Sequence, residues 1–164
     1  MKAAVFTAPG VIEYKTDYPD PQIEDGIVLQ TKACGICGTD IKALAGNRPG
    51  MEPPMILGHE FSGIVIESKL AEFKVGDRVS AAPYAGCGVC EYCLNDREEL
   101  CKNKYFTPEG CFAEKVAIPA SLAVKTGWHI PQDVSLSEAA LAEPLACVIL
   151  SLRACRWEPG TSIL

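Results

Sequence analysis

The chain has 164 residues, 48% of them hydrophobic, enough to bury one real core with a small appendage. Its net charge of −6 comes from charged residues spread along the sequence, which excludes a basic stripe for nucleic acid or anionic lipid and points to small-molecule work. No apolar run is long enough for a signal sequence or a membrane-spanning helix, so the chain reads as cytoplasmic.

In chain order, the first 80 residues predict short strands cut by Pro and Gly: 2–6, 10–15, 26–34, 60–68 and 76–81. Val/Ile enrichment with turn signals at close intervals predicts a β-barrel or sandwich rather than alternating βαβ units. Residues 44–57 hold three prolines and two glycines and are expected to be a loop, of a length that often carries function. Residues 84–110 are irregular, polar and rich in cysteine, with too few apolar side chains to order themselves by burial. Two more strands are expected at 111–118 and 121–126. From Ser135 to Cys155 the pattern turns helical, with Ser135 or Ser137 as N-cap, Glu138 completing a capping box with Ser135, and Pro144 interrupting or beginning a segment. Residues 158–164 read as a turn entering a new buried strand, so the chain is expected to stop where a further domain starts. No GxGxxG fingerprint occurs; the nearest spacing, Gly86 and Gly88, lies inside the cysteine cluster, so the chain is not expected to bind a dinucleotide by itself.

Nine cysteines in a reducing compartment point to metal rather than to disulfides. Cys87, Cys90, Cys93 and Cys101 follow C-x2-C-x2-C-x7-C, and four thiolates in one short loop close tetrahedrally around one zinc. A ferredoxin-type cluster differs in spacing and has Pro after its last cysteine, where this chain has Lys102. With all four positions filled by protein, the expected site is structural.

CGICGTD (34–40) and GHE (58–60) form a second constellation. A lone cysteine is more often a small buried hydrophobe and a lone histidine a satisfied core or surface residue. Together, Cys37, His59 and a carboxylate supply three ligands and leave the fourth position of a catalytic zinc open.

The order GICGTD, GHE, four-cysteine lobe, EPLACV resembles the zinc-dependent medium-chain alcohol and polyol dehydrogenases over essentially the whole chain, and EPLA is similar to their sorbitol and threonine dehydrogenase branch. The resemblance implies a mainly β fold with short helices: a GroES-like β-barrel over residues 1–155, including a zinc-binding cysteine lobe at 84–110. Residues 156–164 are then the start of a nucleotide-binding domain, with the Rossmann domain itself absent. It implies Cys37 and His59 as ligands of the catalytic zinc, with Glu60 or Glu143 as the carboxylate and the choice between them open. Asp40 is implied as the carboxylate that orients the imidazole, and Thr39 as the hydroxyl that takes the alcohol proton. Many relatives carry His five residues after the catalytic cysteine; Lys42 stands there in this chain, so proton exit is expected through water or through Lys42. By the same resemblance the full-length enzyme oxidises a secondary alcohol or polyol and passes hydride to NAD(P), using one catalytic and one structural zinc. It is a homo-oligomer without nucleic-acid or membrane partners, and the 164-residue chain is inactive alone.

The alternative is a non-catalytic GroES-like zinc-binding or assembly module, which predicts a single zinc. A small zinc-ribbon interaction protein fits worst, because it leaves Cys37, GHE and EPLA without a role. Cys34, Cys111, Cys147 and Cys155 are expected to be buried thiols without chemistry, and His129 a surface loop residue.

Overall fold

Strands β1 (Ala3–Ala8), β2 (Val11–Lys15) and β3 (Ile27–Gly35) open the chain, followed by helix α1 (Gly38–Leu44), β4 (Met55–Ile56), β5 (Glu60–Ser68) and β6 (Arg78–Ala81). Then come β7 (Tyr84–Ala85), α2 (Glu91–Leu94), β8 (Tyr105–Phe106), β9 (Lys115–Ile118), α3 (Ala120–Thr126), β10 (Gly127–His129), α4 (Leu136–Ala139) and α5 (Ala142–Ala154). These elements come from a computed structural model that describes residues 1–155, 158 and 160. Apart from Glu158 and Gly160, the expected start of a further domain at 156–164 lies outside the described residues.

The strands pair antiparallel in a five-stranded sheet ordered β10-β6-β5-β3-β9 and a three-stranded sheet ordered β2-β1-β4. Segment 112–118 joins them: Phe112 to Glu114 bond to Lys2 and Ala4, and Lys115 to Ile118 pair with β3. The hydrogen-bonded surface therefore wraps around the core, and the expected mainly β barrel with short helices is what forms.

β3 and β5 carry the core. Ile27, Leu29, Phe61 and Val65 are buried with Val79, Val116, Ile118 and Leu122. Each such side chain removed from water contributes roughly 1.5–3 kcal/mol. Phe6, Ala43 and Leu57 form a smaller cluster that seats α1 against the barrel. No helix among the described residues is long and apolar enough to cross a membrane.

Several local expectations need correction. Residues 121–126 are helical, not extended: the N–H groups of Leu122 and Ala123 both bond to the Pro119 carbonyl, and Asp25 Oδ1 accepts the Ala120 N–H at 3.2 Å. Six residues are too few to distinguish the two periods. Of residues 44–57, Leu44 closes α1 and Met55–Ile56 pairs with β1, and the rest is loop. The 84–110 segment contains the two-residue strands β7 and β8, paired with each other, and the single turn α2. The 135–155 stretch splits into α4 and α5. Ser135 is the N-cap, its Oγ accepting the Glu138 N–H at 3.1 Å while Glu138 Oε2 accepts the Ser135 N–H at 2.8 Å. Pro144 falls in the first turn of α5, where a missing N–H costs nothing.

Candidate metal centres

In the lobe that protrudes from the barrel between β7 and β8, four sulfurs converge. Cys90 Sγ lies 3.5 Å from Cys93 Sγ and 3.8 Å from Cys101 Sγ, and Cys87 Sγ lies 3.9 Å from Cys93 Sγ. Four thiolates at about 2.3 Å from one zinc have sulfur–sulfur edges of about 3.8 Å, so the set fits a tetrahedral ion with little movement. Disulfides are excluded by these separations, and all nine cysteines are free. The N–H groups of Val89 and then Cys90, turned toward the Cys87 sulfur, pull its thiol down to about 6, which favours the thiolate a metal requires. A Cβ on Gly86 would lie 2.7 Å from Cys93 Sγ, so glycine is needed for the loop to close over the sulfurs. Lys125 Nζ donates to the Gly86 carbonyl at 2.8 Å and ties the lobe to α3.

The second group is assembled by the barrel itself. β3 and β5 pair with Gly35 opposite Glu60, so the turn after β3 meets the residues leading into β5. Cys37 is the N-cap of α1 in extended conformation, and His59 immediately precedes β5. One ligand atom from each of Cys37, His59 and Glu60 falls within 4.8 Å of the others.

Asp40 locks this arrangement. It is 3% exposed. Its Oδ2 accepts the Cys37 N–H at 2.8 Å, and its Oδ1 accepts the Gly58 N–H at 3.1 Å and lies 3.3 Å from His59 Nδ1. One carboxylate thus fixes the start of α1, the start of β5 and the imidazole plane, leaving Nε2 for a metal. The Asp40 hydrogen bond, foremost, lifts His59 to about 9 in the metal-free chain. Burial works against the Asp40 charge, but the His59 and backbone hydrogen bonds hold its carboxyl below the usual range.

The remaining expected residues lie around this group. Thr39 is one residue into α1, its Oγ1 3.8 Å from Cys37 Sγ. Glu143, in the first turn of α5, stands in the same cleft but outside the three-residue ligand group. Burial pushes its carboxyl up, opposed by the His59 charge and assisted by Glu60. Lys42 is exposed in the last turn of α1 and does not line the cleft. The cleft encloses about 500 Å³, the size of a small-molecule site, and Thr39, His59 and Glu143 share it with Met51, Tyr84 and Phe106.

The last three were not foreseen from the sequence. Met51 comes from the proline-rich loop, and Tyr84 and Phe106 are cross-strand partners on β7 and β8, with ring centroids 6.0 Å apart. Cys147 lies one helical turn after Glu143, with its Sγ 3.9 Å from Glu143 Oε1, and belongs neither to the cleft lining nor to either ligand group. Of the four cysteines expected to be buried, only Cys111 is; Cys34, Cys147 and Cys155 are exposed. His129 is exposed as expected, but it lies in β10 rather than a loop and stacks on Phe73 at 5.1 Å.

Residues 24–131 match the alcohol dehydrogenase GroES-like domain. The chain is 36% identical over 173 residues to the sorbitol dehydrogenase of Bacillus subtilis (strain 168), covering 99% of this chain and 48% of that protein. It is 36% identical over 139 residues to the L-threonine 3-dehydrogenase of the same strain, covering 79% of this chain and 39% of that protein. Among solved structures, the alcohol dehydrogenase TADH from Thermus sp. ATN1 superposes with a TM-score of 0.82 at 25% identity, over 98% of this chain and 49% of that one. The chain spans about half the length, or less, of these relatives.

Proposed function

Because the chain belongs to the alcohol dehydrogenase GroES-like domain family, we propose that it forms the zinc-holding, alcohol-binding half of an enzyme that oxidises a secondary alcohol or polyol with NAD(P). The observation that carries this reading is the convergence of Cys37, His59 and Glu60 into a three-residue ligand group among the described residues, with His59 and the neighbouring Thr39 lining the cleft. The alcohol class is supported by the likeness to the sorbitol and threonine dehydrogenases.

When bound, zinc at this centre supplies a Lewis acid that acidifies the alcohol, and NAD(P) supplies the hydride acceptor. The protein's part is positional and acid–base. Cys37, His59 and Glu60 hold the ion, and Asp40 fixes the imidazole so that Nε2 faces inward. As ligands of a bound ion, Cys37 and Glu60 would be deprotonated and would supply two negative charges against its two positive ones. Thr39 Oγ1, beside Cys37 Sγ and facing the cleft, takes the hydroxyl proton and passes it outward. Met51, Tyr84 and Phe106 form the apolar wall that limits water around the carbon losing hydride.

The four-cysteine lobe has no free coordination position and is assigned a structural zinc. Its hairpin residues Tyr84 and Phe106 are also cleft residues, so the structural ion shapes the substrate wall. These residues contain no dinucleotide fingerprint, and by themselves they are assigned the alcohol half of the reaction only.

Cobalt substitution tests the reading. The chain loaded with two Co(II) ions should show a d–d spectrum that shifts when a polyol is added, and the shift should disappear in Cys37→Ser. A spectrum unaffected by polyols, or a shift retained in Cys37→Ser, contradicts an open alcohol site there.

A further inference from the structure

Glu60 reaches Cys37 and His59 because the residue beneath it has no side chain. Gly35 stands opposite Glu60 in the β3–β5 pairing. A Cβ built on Gly35 would lie 2.1 Å from Glu60 Oε2 and 3.2 Å from both its Cβ and Cδ. The first distance is far inside any non-bonded contact, so the carboxylate fills the volume that a side chain at position 35 would need. The backbone does not ask for glycine there: Gly35 is not among the glycines with positive φ, unlike Gly58 at φ +94°. The demand for glycine at 35 comes from the carboxylate. Because Glu60 Oε2 is the far end of a flexible side chain, a methyl at position 35 displaces the carboxylate rather than the sheet.

We infer that Gly35 is a positioning residue for the metal centre: its missing side chain lets Glu60, rather than Glu143, complete the ligand group with Cys37 and His59. The inference rests on the reading of that group as a zinc site. Glu60 is 6% exposed and sits in the ligand group, whereas Glu143 lines the cleft and lies outside that group. A Cβ at 35 reverses that order and leaves the third position to Glu143 or to water.

The test is Co(II) titration of the wild-type chain, Gly35→Ala, Glu60→Gln and the double variant, followed by metal stoichiometry and visible spectrum. The four-cysteine site serves as an internal control. Gly35→Ala and Glu60→Gln should each weaken the second site by about 10- to 100-fold, the range seen when a ligand-positioning partner is lost, with the same spectral change. The double variant should be no weaker than either single one, since both remove the same ligand. Wild-type affinity and spectrum in Gly35→Ala overturn the inference, and so does a double variant weakened by the product of the two single effects. If Gly35→Ala does not fold, adding Glu60→Ala should restore folding by removing the clash; failure to restore it overturns the inference. A wild-type chain that binds one ion, unchanged in Cys37→Ser, overturns the zinc reading and this inference with it. Two ions in the wild type with Gly35→Ala unaffected overturns this inference alone.

Discussion

Replacing Asp40 by Asn tests how much one buried carboxylate holds together. The native side chain faces three donors: the N–H groups of Cys37 and Gly58, and His59 Nδ1. An asparagine has one acceptor oxygen. Placed at Oδ1, it keeps Gly58 and His59 but turns an NH2 group toward the Cys37 N–H. Flipped, it keeps Cys37 and sets the NH2 against the other two. In either orientation at least one buried donor meets a donor, which costs about 1–3 kcal/mol of folding stability. Loss of the partner that orients His59 should weaken zinc at the Cys37 centre by about 10- to 100-fold, equivalent to about 1.4–2.8 kcal/mol. The assays are urea unfolding of the metal-free chain and zinc competition against a chromophoric chelator. Asp40→Ala, which strands all three donors, should be worse on both. Unfolding midpoint and affinity within twofold of wild type for Asp40→Asn would refute the clamp.

Further outcomes follow from the same geometry. Chelation should collapse residues 84–110, whose two-residue strands and single helical turn cannot stand alone, exposing the lobe to protease while the barrel survives; an unchanged cleavage pattern speaks against a structural ion. In the metal-free chain His59 is raised from 6.5 to about 9, chiefly by Asp40. Its charged form therefore contributes stability in full below about pH 6.5 and loses it as the pH rises through about 9. Urea midpoints should fall across that window in the wild type and fall less in Asp40→Asn, where only the smaller contribution of Cys37 still raises His59. Gly58→Ala puts a Cβ 2.7 Å from Phe112 Cδ1 and 2.8 Å from Cys111 Sγ at a φ of +94°, and thermal melts should show a loss of about 1–3 kcal/mol. Phe61→Ala, which empties the centre of the main core, should cost about 3–5 kcal/mol in the same assay.

The motifs made the two candidate metal-holding groups legible in the sequence because metal chemistry restricts residue type and spacing so tightly. C-x2-C-x2-C-x7-C needs only loop closure, and Cys37 and His59 come together once β3 and β5 are read as strands that pair. The part that sequence left open was the third ligand. Glu60 and Glu143 are chemically identical, and the geometry that sets Glu60 beside Cys37 and His59, opposite Gly35, is visible only when β3 and β5 are in register. The walls of the cleft were unreadable for a similar reason: Tyr84 and Phe106 are distant in the chain and meet only when the lobe folds back as a hairpin. Short elements caused the remaining errors. Residues 121–126 became a helix through first-turn bonds to the N-cap residue Pro119, with the distant Asp25 accepting the Ala120 N–H at the helix start. Cys34 sits on an exposed strand position and Cys147 on an exposed helix face, where the expectation of burial for unpaired thiols gave way to the geometry of the element.

Zinc content per chain, measured by elemental analysis on the wild type and on Cys37→Ser, tests most directly the claim that this domain carries an open metal centre beside a closed one. Two zinc ions in the wild type falling to one in the variant is the expected result. One ion in both proteins would contradict it, leaving the cysteine lobe as the metal site and the cleft without its ion.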